Sequence, residues 1–183
     1  GDLLFDGLAA EVAGLAGRVR ELSGGRLPEE VSQVDLEIDG FRISGQLSGV
    51  RPERLIRYRC GKCSGRDLVR LWIEHLLLAS LVPDGMPEES VLVTLDTEVR
   101  LVPVAGSVAI LRRLLGYYWQ GLTEPLKFFP RSSFAFAGTK ELGRAVKVWS
   151  SDPFPERDNP YYTLCFGDAD PLDADFEEVS VAV

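Results

Sequence analysis

Residues 41–81 read FRISGQLSGVRPERLIRYRCGKCSGRDLVRLWIEHLLLASL, and their spacing predicts a strand, a turn, a second strand and a long apolar helix. Strand side chains alternate between faces. Phe41, Ile43 and Leu47 therefore point one way and Arg42, Ser44, Gln46 and Ser48 the other. Arg51-Pro52-Glu53 turns the chain into a strand over 54–60, where Leu55, Arg57 and Arg59 share a face opposite Arg54, Ile56 and Tyr58. Asp67 is placed to cap the helix 67–81. Leu68, Leu71, Trp72, Leu76 and Ala79 line one side of it, and Ile73, Leu77 and Leu78 cover much of the rest. Such a helix is largely buried.

Upstream, residues 33–39 alternate strictly, with Val34, Leu36 and Ile38 inward and Asp35, Glu37 and Asp39 outward. Asp39-Gly40 supplies the two-residue type I′ turn of a hairpin. The three acids read as the wet face of an antiparallel sheet; the alternative is a relocated metal site. Residues 3–22 are helical by pattern, with Leu4, Leu8, Val12, Leu15, Val19 and Leu22 three or four apart. Gly7, Gly14 and Gly17 each weaken that helix by up to about 1 kcal/mol against Ala, so tertiary contact supplies much of its stability. Ser23-Gly24-Gly25 ends it.

Downstream, Pro83-Asp84-Gly85-Met86-Pro87 breaks the chain, and 91–95 and 99–104 read as strands. Residues 107–122 form an amphipathic helix whose stripe of Val108, Leu111, Leu115, Tyr118, Trp119 and Leu122 is expected in the core. Pro125 and Pro130 forbid a continuous helix after it. Phe128-Phe129-Pro130-Arg131 is apolar enough that it must pack on the body or on another chain. A helix over 139–149, a proline-rich excursion over 151–160 and the segment 160–166 follow. The acidic end, with Asp168, Asp170, Asp173, Asp175, Glu177 and Glu178, lacks the spacing of a calcium loop and reads as a solvated tail or docking segment.

At 183 residues, 45% hydrophobic and 26% charged, the chain fits one α+β domain, a mixed sheet flanked by helices. Its expected parts are a leading helix and linker over 1–26, a core over 27–166 and the acidic end over 167–183. It reads as the carboxy-terminal part of something longer. Twenty basic residues against 28 acidic give a net charge of −8, which argues against a domain that grips nucleic acid by bulk charge. No apolar run reaches the roughly 18 residues of a membrane span.

Against that total, Arg51, Arg54, Arg57, Arg59, Lys62, Arg66 and Arg70 fall within 20 residues. They form either a phosphate-binding patch, since arginine forks match phosphate geometry, or a set of partners for the domain's own acids or for another subunit. Cys60-Gly61-Lys62-Cys63 has C-x-x-C spacing, but only Cys165 and the single His75 remain as companions. A closed zinc site needs four ligands, so the cysteines read as reduced residues of a cytoplasmic protein. No cofactor or metal is implied.

The strand–turn–strand–helix order over 41–81 resembles the core of the PD-(D/E)xK nucleases. That resemblance implies an acid near the end of one strand and acid-x-Lys on the next, holding Mg²⁺ through oxygen ligands. Overlaid on GQLSGV and LIRYRC, those positions fall at Ser48, Arg57 and Arg59. Both carboxylates are missing. Some nucleases of this fold add a glutamate from the first helix, for which Glu11 and Glu21 are the available residues, although isolated glutamates usually face water.

Two longer strings, RYRCGKCSGRDLVRLWIEHLLLA and LLGYYWQGLTEPLKFFPRSSFAFA, are similar to the carboxy-terminal region of the RecC family, the gamma chains of exodeoxyribonuclease V. The matching positions are Arg57-Tyr58-Arg59, Leu71-Trp72-Ile73-Glu74-His75-Leu76, Gly121-Leu122, Pro125-Leu126, Phe128, Pro130 and Ser132-Ser133. The resemblance implies a nuclease-like fold without catalytic residues or metal. It implies a subunit of a helicase–nuclease that processes double-strand breaks for recombinational repair, with the beta and alpha chains and DNA as partners. No P-loop occurs, so ATP binding of that kind is not implied. Candidate contact residues are Arg51, Arg54, Arg57, Arg59, Lys62, Arg66, Arg70, Phe128, Phe129 and Arg131. The rival readings are a working nuclease using Asp35, Glu37 and Asp39, or an interaction domain unrelated to DNA.

Overall fold

Strict alternation over 30–38 and 41–50 gives two paired strands because only that register buries one face of each. In the computed structural model, which describes residues 2–25, 30–81, 87–151 and 153–182, β1 (Glu30–Ile38) and β2 (Phe41–Val50) form an antiparallel hairpin with Ile38 opposite Phe41. Asp39 and Gly40 both have positive φ, 50° and 83°, as a type I′ turn requires. The end of the expected linker and most of the break over 83–87 lie outside the described residues.

Residue contacts sort the chain into two compact units, Gly1–Cys63 with Asp67–Arg113 and Ser64–Arg66 with Leu114–Val183. The first unit is a five-stranded sheet in the order β1-β2-β3-β4-β5, completed by β3 (Arg54–Tyr58), β4 (Glu89–Val93) and β5 (Glu98–Leu101). Only β3 and β4 pair in parallel; the other neighbours are antiparallel. The sheet is therefore mixed. Parallel pairing needs a long crossover, and α2 (Gly65–Ser80) provides it.

In-register neighbours point to the same side of a sheet, so Leu55 and Ser90 face one layer and Ile56, Val91 and Val93 the other. On the first side Leu78 of α2 packs with Val34, Leu47, Val50 and Leu55. On the second, Leu15 of α1 (Asp2–Leu22) packs with Val91 and Val93, joined by Val19 and Leu22. Residues 5–14 of α1 are exposed, so the contact that stabilises this glycine-weakened helix comes from its C-terminal third. His75 is buried on α2 between the Ser90 hydroxyl, 2.9 Å from Nδ1, and the Val102 carbonyl, 3.1 Å from Nε2.

The second unit is helical. After α3 (Ser107–Gly121), which crosses the division, come α4 (Pro130–Ala137), α5 (Leu142–Val146), a π-turn over Lys147–Ser151, a 3₁₀ turn over Glu156–Asp158, α6 (Pro160–Phe166) and α7 (Ala174–Ala182). Phe129 is its centre, with ring centroids 4.5 Å from Trp149, 5.0 Å from Tyr162 and 5.4 Å from Phe166.

Several expectations give way here. Pro130 starts a helix instead of interrupting a loop, because proline is tolerated at the first helical position. The acidic end is no solvated tail: Phe176, Val179 and Ser180 of α7 are buried, and Leu172 and Phe176 join the aromatic core. The expected core stripe of α3 fails at Val108, Tyr118, Trp119 and Leu122, all exposed. The helix expected over 139–149 is replaced by α5 and the π-turn. α2 begins two residues before Asp67, which sits in its first turn and is no N-cap.

Candidate functional site

The pairing of β2 with β3 is confined to Val50 opposite Leu55. Beyond that point Arg57 bridges the two strands. Its Nη1 donates to the Ser48 carbonyl at 2.5 Å and more loosely to the Ile56 carbonyl at 3.4 Å. Its Nε donates to Glu74 Oε2 on α2, also at 2.5 Å. The other Glu74 oxygen accepts from Arg70 Nε at 3.1 Å. Glu74 is nearly buried, its side chain 12% exposed, and Arg57 is 18% exposed, so this pair is far better shielded than a surface salt bridge.

Gly49 makes room for that guanidinium. Its φ of +71° suits glycine alone, and a Cβ there would lie 2.7 Å from both Arg57 Nη1 and the Ile56 carbonyl oxygen. Two of the three positions that the sequence overlay picks out, Ser48 and Arg57, therefore meet directly. Arg59 follows β3, extends the ladder through its N–H to the Val93 carbonyl, and pairs with Asp67 at 2.5 Å.

These residues do not fit a divalent cation. A hard cation takes several oxygen ligands, carboxylates above all. Glu74 has both oxygens engaged by guanidinium groups, Asp67 is paired with Arg59, and Arg57 itself puts a positive charge at the strand seam. Glu74 was not among the sequence candidates. The available signal was an acid four residues after Arg70 in the same helix, the spacing at which helical side chains meet.

The expected basic patch dissolves in part into internal pairs. Arg54 lies 3.5 Å from Glu89, Arg57 and Arg70 hold Glu74, Arg59 holds Asp67, and Arg51 is buried. Lys62 and Arg66 are exposed. The acids proposed as a relocated site are engaged too: Asp35 takes a two-pronged bond from Arg42 at 2.9 Å, and Asp39 pairs with Arg112 at 2.6 Å. The Arg42 fork holds the Asp35 carboxyl below its ordinary value. Glu11, Glu21 and Glu37 are exposed. Among the described residues no group of three or more His, Cys, Asp or Glu is placed to hold a metal ion.

The C-x-x-C loop is tied down by Asp96, which accepts from the Cys63 N–H at 2.8 Å and from the Thr94 hydroxyl at 2.9 Å. Those bonds, the Cys63 N–H first, lower the Asp96 carboxyl. Burial, helped by Asp67 and Asp96, pushes the Cys63 thiol up. A raised thiol pKa leaves less of the thiolate that acts as nucleophile or metal ligand.

In the second unit Phe129 is buried among the aromatic rings of its own unit, so the body is what the Phe128–Arg131 stretch packs on. Phe128 is half-buried, and Arg131 reaches the Phe154 carbonyl at 2.7 Å. Buried Glu156 accepts from the N–H groups of Arg131 and Ser132, at 3.0 and 2.7 Å, and from the Ser132 hydroxyl. It thereby satisfies the open N-terminus of α4.

The chain is similar to known proteins over most of its length. The RecC C-terminal domain model matches residues 1–141. The RecBCD enzyme subunit RecC of Escherichia coli (strain K12) is 30% identical over 141 residues, covering 76% of this chain and 12% of the relative. The RecC subunit of Mycolicibacterium smegmatis is 29% identical over 74% of the chain, and that of Buchnera aphidicola 26% over 75%. The chain thus spans 12% of the length of each of these relatives. With the matched region taking in the whole sheet, α2 and the Arg57 seam, the chain belongs to the RecC C-terminal domain family.

Proposed function

We propose that this chain is a non-catalytic, nuclease-like part of a cytoplasmic RecC-type gamma subunit, in a helicase–nuclease that processes double-strand DNA breaks for recombinational repair. Its work is to hold the beta and alpha chains and to offer at most a minor contact to DNA. The observation that carries this reading is the Arg57 guanidinium between β2 and β3, bonded to Ser48 and Glu74 where a nuclease of this fold would seat carboxylates and a metal. A cation with saturated partners stiffens a scaffold and has no means of activating water. The relatives' names supply the assembly, as subunits of a RecBCD enzyme. No helix among the described residues is long and apolar enough to cross a membrane.

Co-expression with the beta and alpha chains tests the reading directly. The expected outcome is co-purification of the gamma chain with its partners, together with no cleavage of labelled duplex or single strands by this chain alone in Mg²⁺ or Mn²⁺. Cleavage that disappears on changing Asp35, Glu37 and Asp39 to asparagine or glutamine would establish the relocated-site alternative. Failure to co-purify would leave an interaction domain unrelated to this enzyme.

A further inference from the structure

The second unit holds a cavity of about 480 Å³ that the scaffold reading does not use. It is lined by Trp149 and Ser150 of the π-turn, by Tyr162 and Thr163 of α6, and by Asp168 and Asp170 of the loop after α6. π-Turns are rare and recur at functional positions. Arg157 and Asp158 also line the cavity and pair loosely at 3.8 Å. Asp170 accepts one backbone N–H, from Leu172. The charge of the lining is therefore net negative, beside two aromatic rings.

The helix that lines the cavity also presents an apolar surface. At about 100° per residue, α6 turns Tyr162 and Phe166 toward the aromatic core and Thr163 and Gly167 toward the cavity. Next around the axis come Leu164 and then Tyr161, 83% and 76% exposed. Exposed apolar side chains are unremarkable singly, but here two lie beside a cavity of defined charge. Asp173 and Asp175 are held by Lys127, and Glu156 is buried against the start of α4, so the charge at the cavity is that of Asp158, Asp168 and Asp170 against Arg157. A phosphate backbone or an acidic peptide is repelled from such a surface, whereas a cation is drawn in and its methylene stem suits the aromatic wall.

We infer that the cavity and the adjoining face of α6 dock a basic, apolar segment of another polypeptide. One arginine or lysine side chain of that segment enters beside Asp168 and Asp170, and its apolar neighbours cover Leu164 and Tyr161. The inference stands apart from the subunit reading, because it rests on this unit alone.

Fluorescence anisotropy with a labelled peptide of alternating leucine and arginine, and a twin with glutamate replacing arginine, tests it on the whole chain. The arginine peptide is expected to bind, and the glutamate twin to bind at least tenfold more weakly. Asp168→Asn with Asp170→Asn should weaken the arginine peptide about fivefold, as expected for two solvent-facing charge pairs. Leu164→Ser should weaken it about fivefold through lost apolar burial. All three positions are exposed, and a circular dichroism melt confirms that the variants fold. Equal binding of both peptides, undiminished binding by the double variant, or displacement of the peptide by an equal concentration of free arginine or of a single-stranded oligonucleotide would overturn the inference.

Discussion

Glu74 shows how one residue decides the character of a site. With both oxygens taken by Arg57 and Arg70, it neutralises charge that would otherwise stand unpaired at the sheet, so Arg57 is held by an internal partner and needs no external one. The next residue, His75, makes the converse case for a neutral group. The Val102 carbonyl can only accept, so Nε2 carries the proton and Nδ1 accepts from the Ser90 hydroxyl. Burial depresses the imidazole below its ordinary value, opposed only in part by the Val102 bond. Above the unfolded value of about 6.5, both states are neutral and the stabilisation is whole. As the pH falls below that value the unfolded chain binds a proton that the folded chain refuses, and stability declines by up to about 1.4 kcal/mol per pH unit until the folded value is reached. Because His75 is the sole histidine, its ring proton resonances can be followed across pH 5–8 without assignment. A midpoint below that of a histidine peptide is expected; one at or above it would refute the buried neutral ring.

At the scale of elements, β2 carries two glycines of different kinds, Gly49 at the seam with β3 and Gly45 opposite Val34 of β1. Gly45 has open space around its missing Cβ, whereas Gly49 has a positive φ and two atoms within 2.7 Å, one of them backbone. Gly49→Ala should therefore cost about 2 kcal/mol, and Gly45→Ala should change stability by less than about 1 kcal/mol. Urea unfolding of the two variants separates them, and equal midpoints would mean that Arg57 is not inserted at the seam. The strand alternation that predicts β1 and β2 was readable because one buried face leaves a period of two. Gly49's role was not, since it depends on where a side chain from the next strand ends. The same limit explains α3, where spacing marks an apolar stripe but cannot say whether the chain supplies a neighbour to cover Tyr118 and Trp119. For α7 the signal was present and outweighed: Phe176 and Val179 lie one turn apart among the acids. At α4, Pro130 has the sequence signature of a breaker but stands at the start of the helix, where its missing N–H has no intrahelical partner to lose.

For the molecule as a whole, the arrangement of charge matters more than the count of arginines. In the first unit Arg42, Arg54, Arg57, Arg59, Arg70, Arg100 and Arg112 all lie within 4 Å of a carboxylate, and the chain carries a net charge of −8. Nucleic-acid affinity grows with the number of phosphates neutralised, each adding about 0.9 to the slope of log affinity against log salt. Guanidinium groups that already hold carboxylates release few counterions when a phosphate approaches. The chain should therefore bind duplex DNA with a slope no steeper than about two. Lys62→Ala, which removes an exposed cation, should lower that slope by about one, while Arg57→Ala with Arg59→Ala should leave it unchanged and instead reduce stability, because Glu74 loses its shielded partner. Salt titrations of the three proteins discriminate sharply. A steep slope that falls by two in the double arginine variant would mean that these groups exchange their carboxylates for phosphates on binding, and that the strand seam is a DNA contact after all.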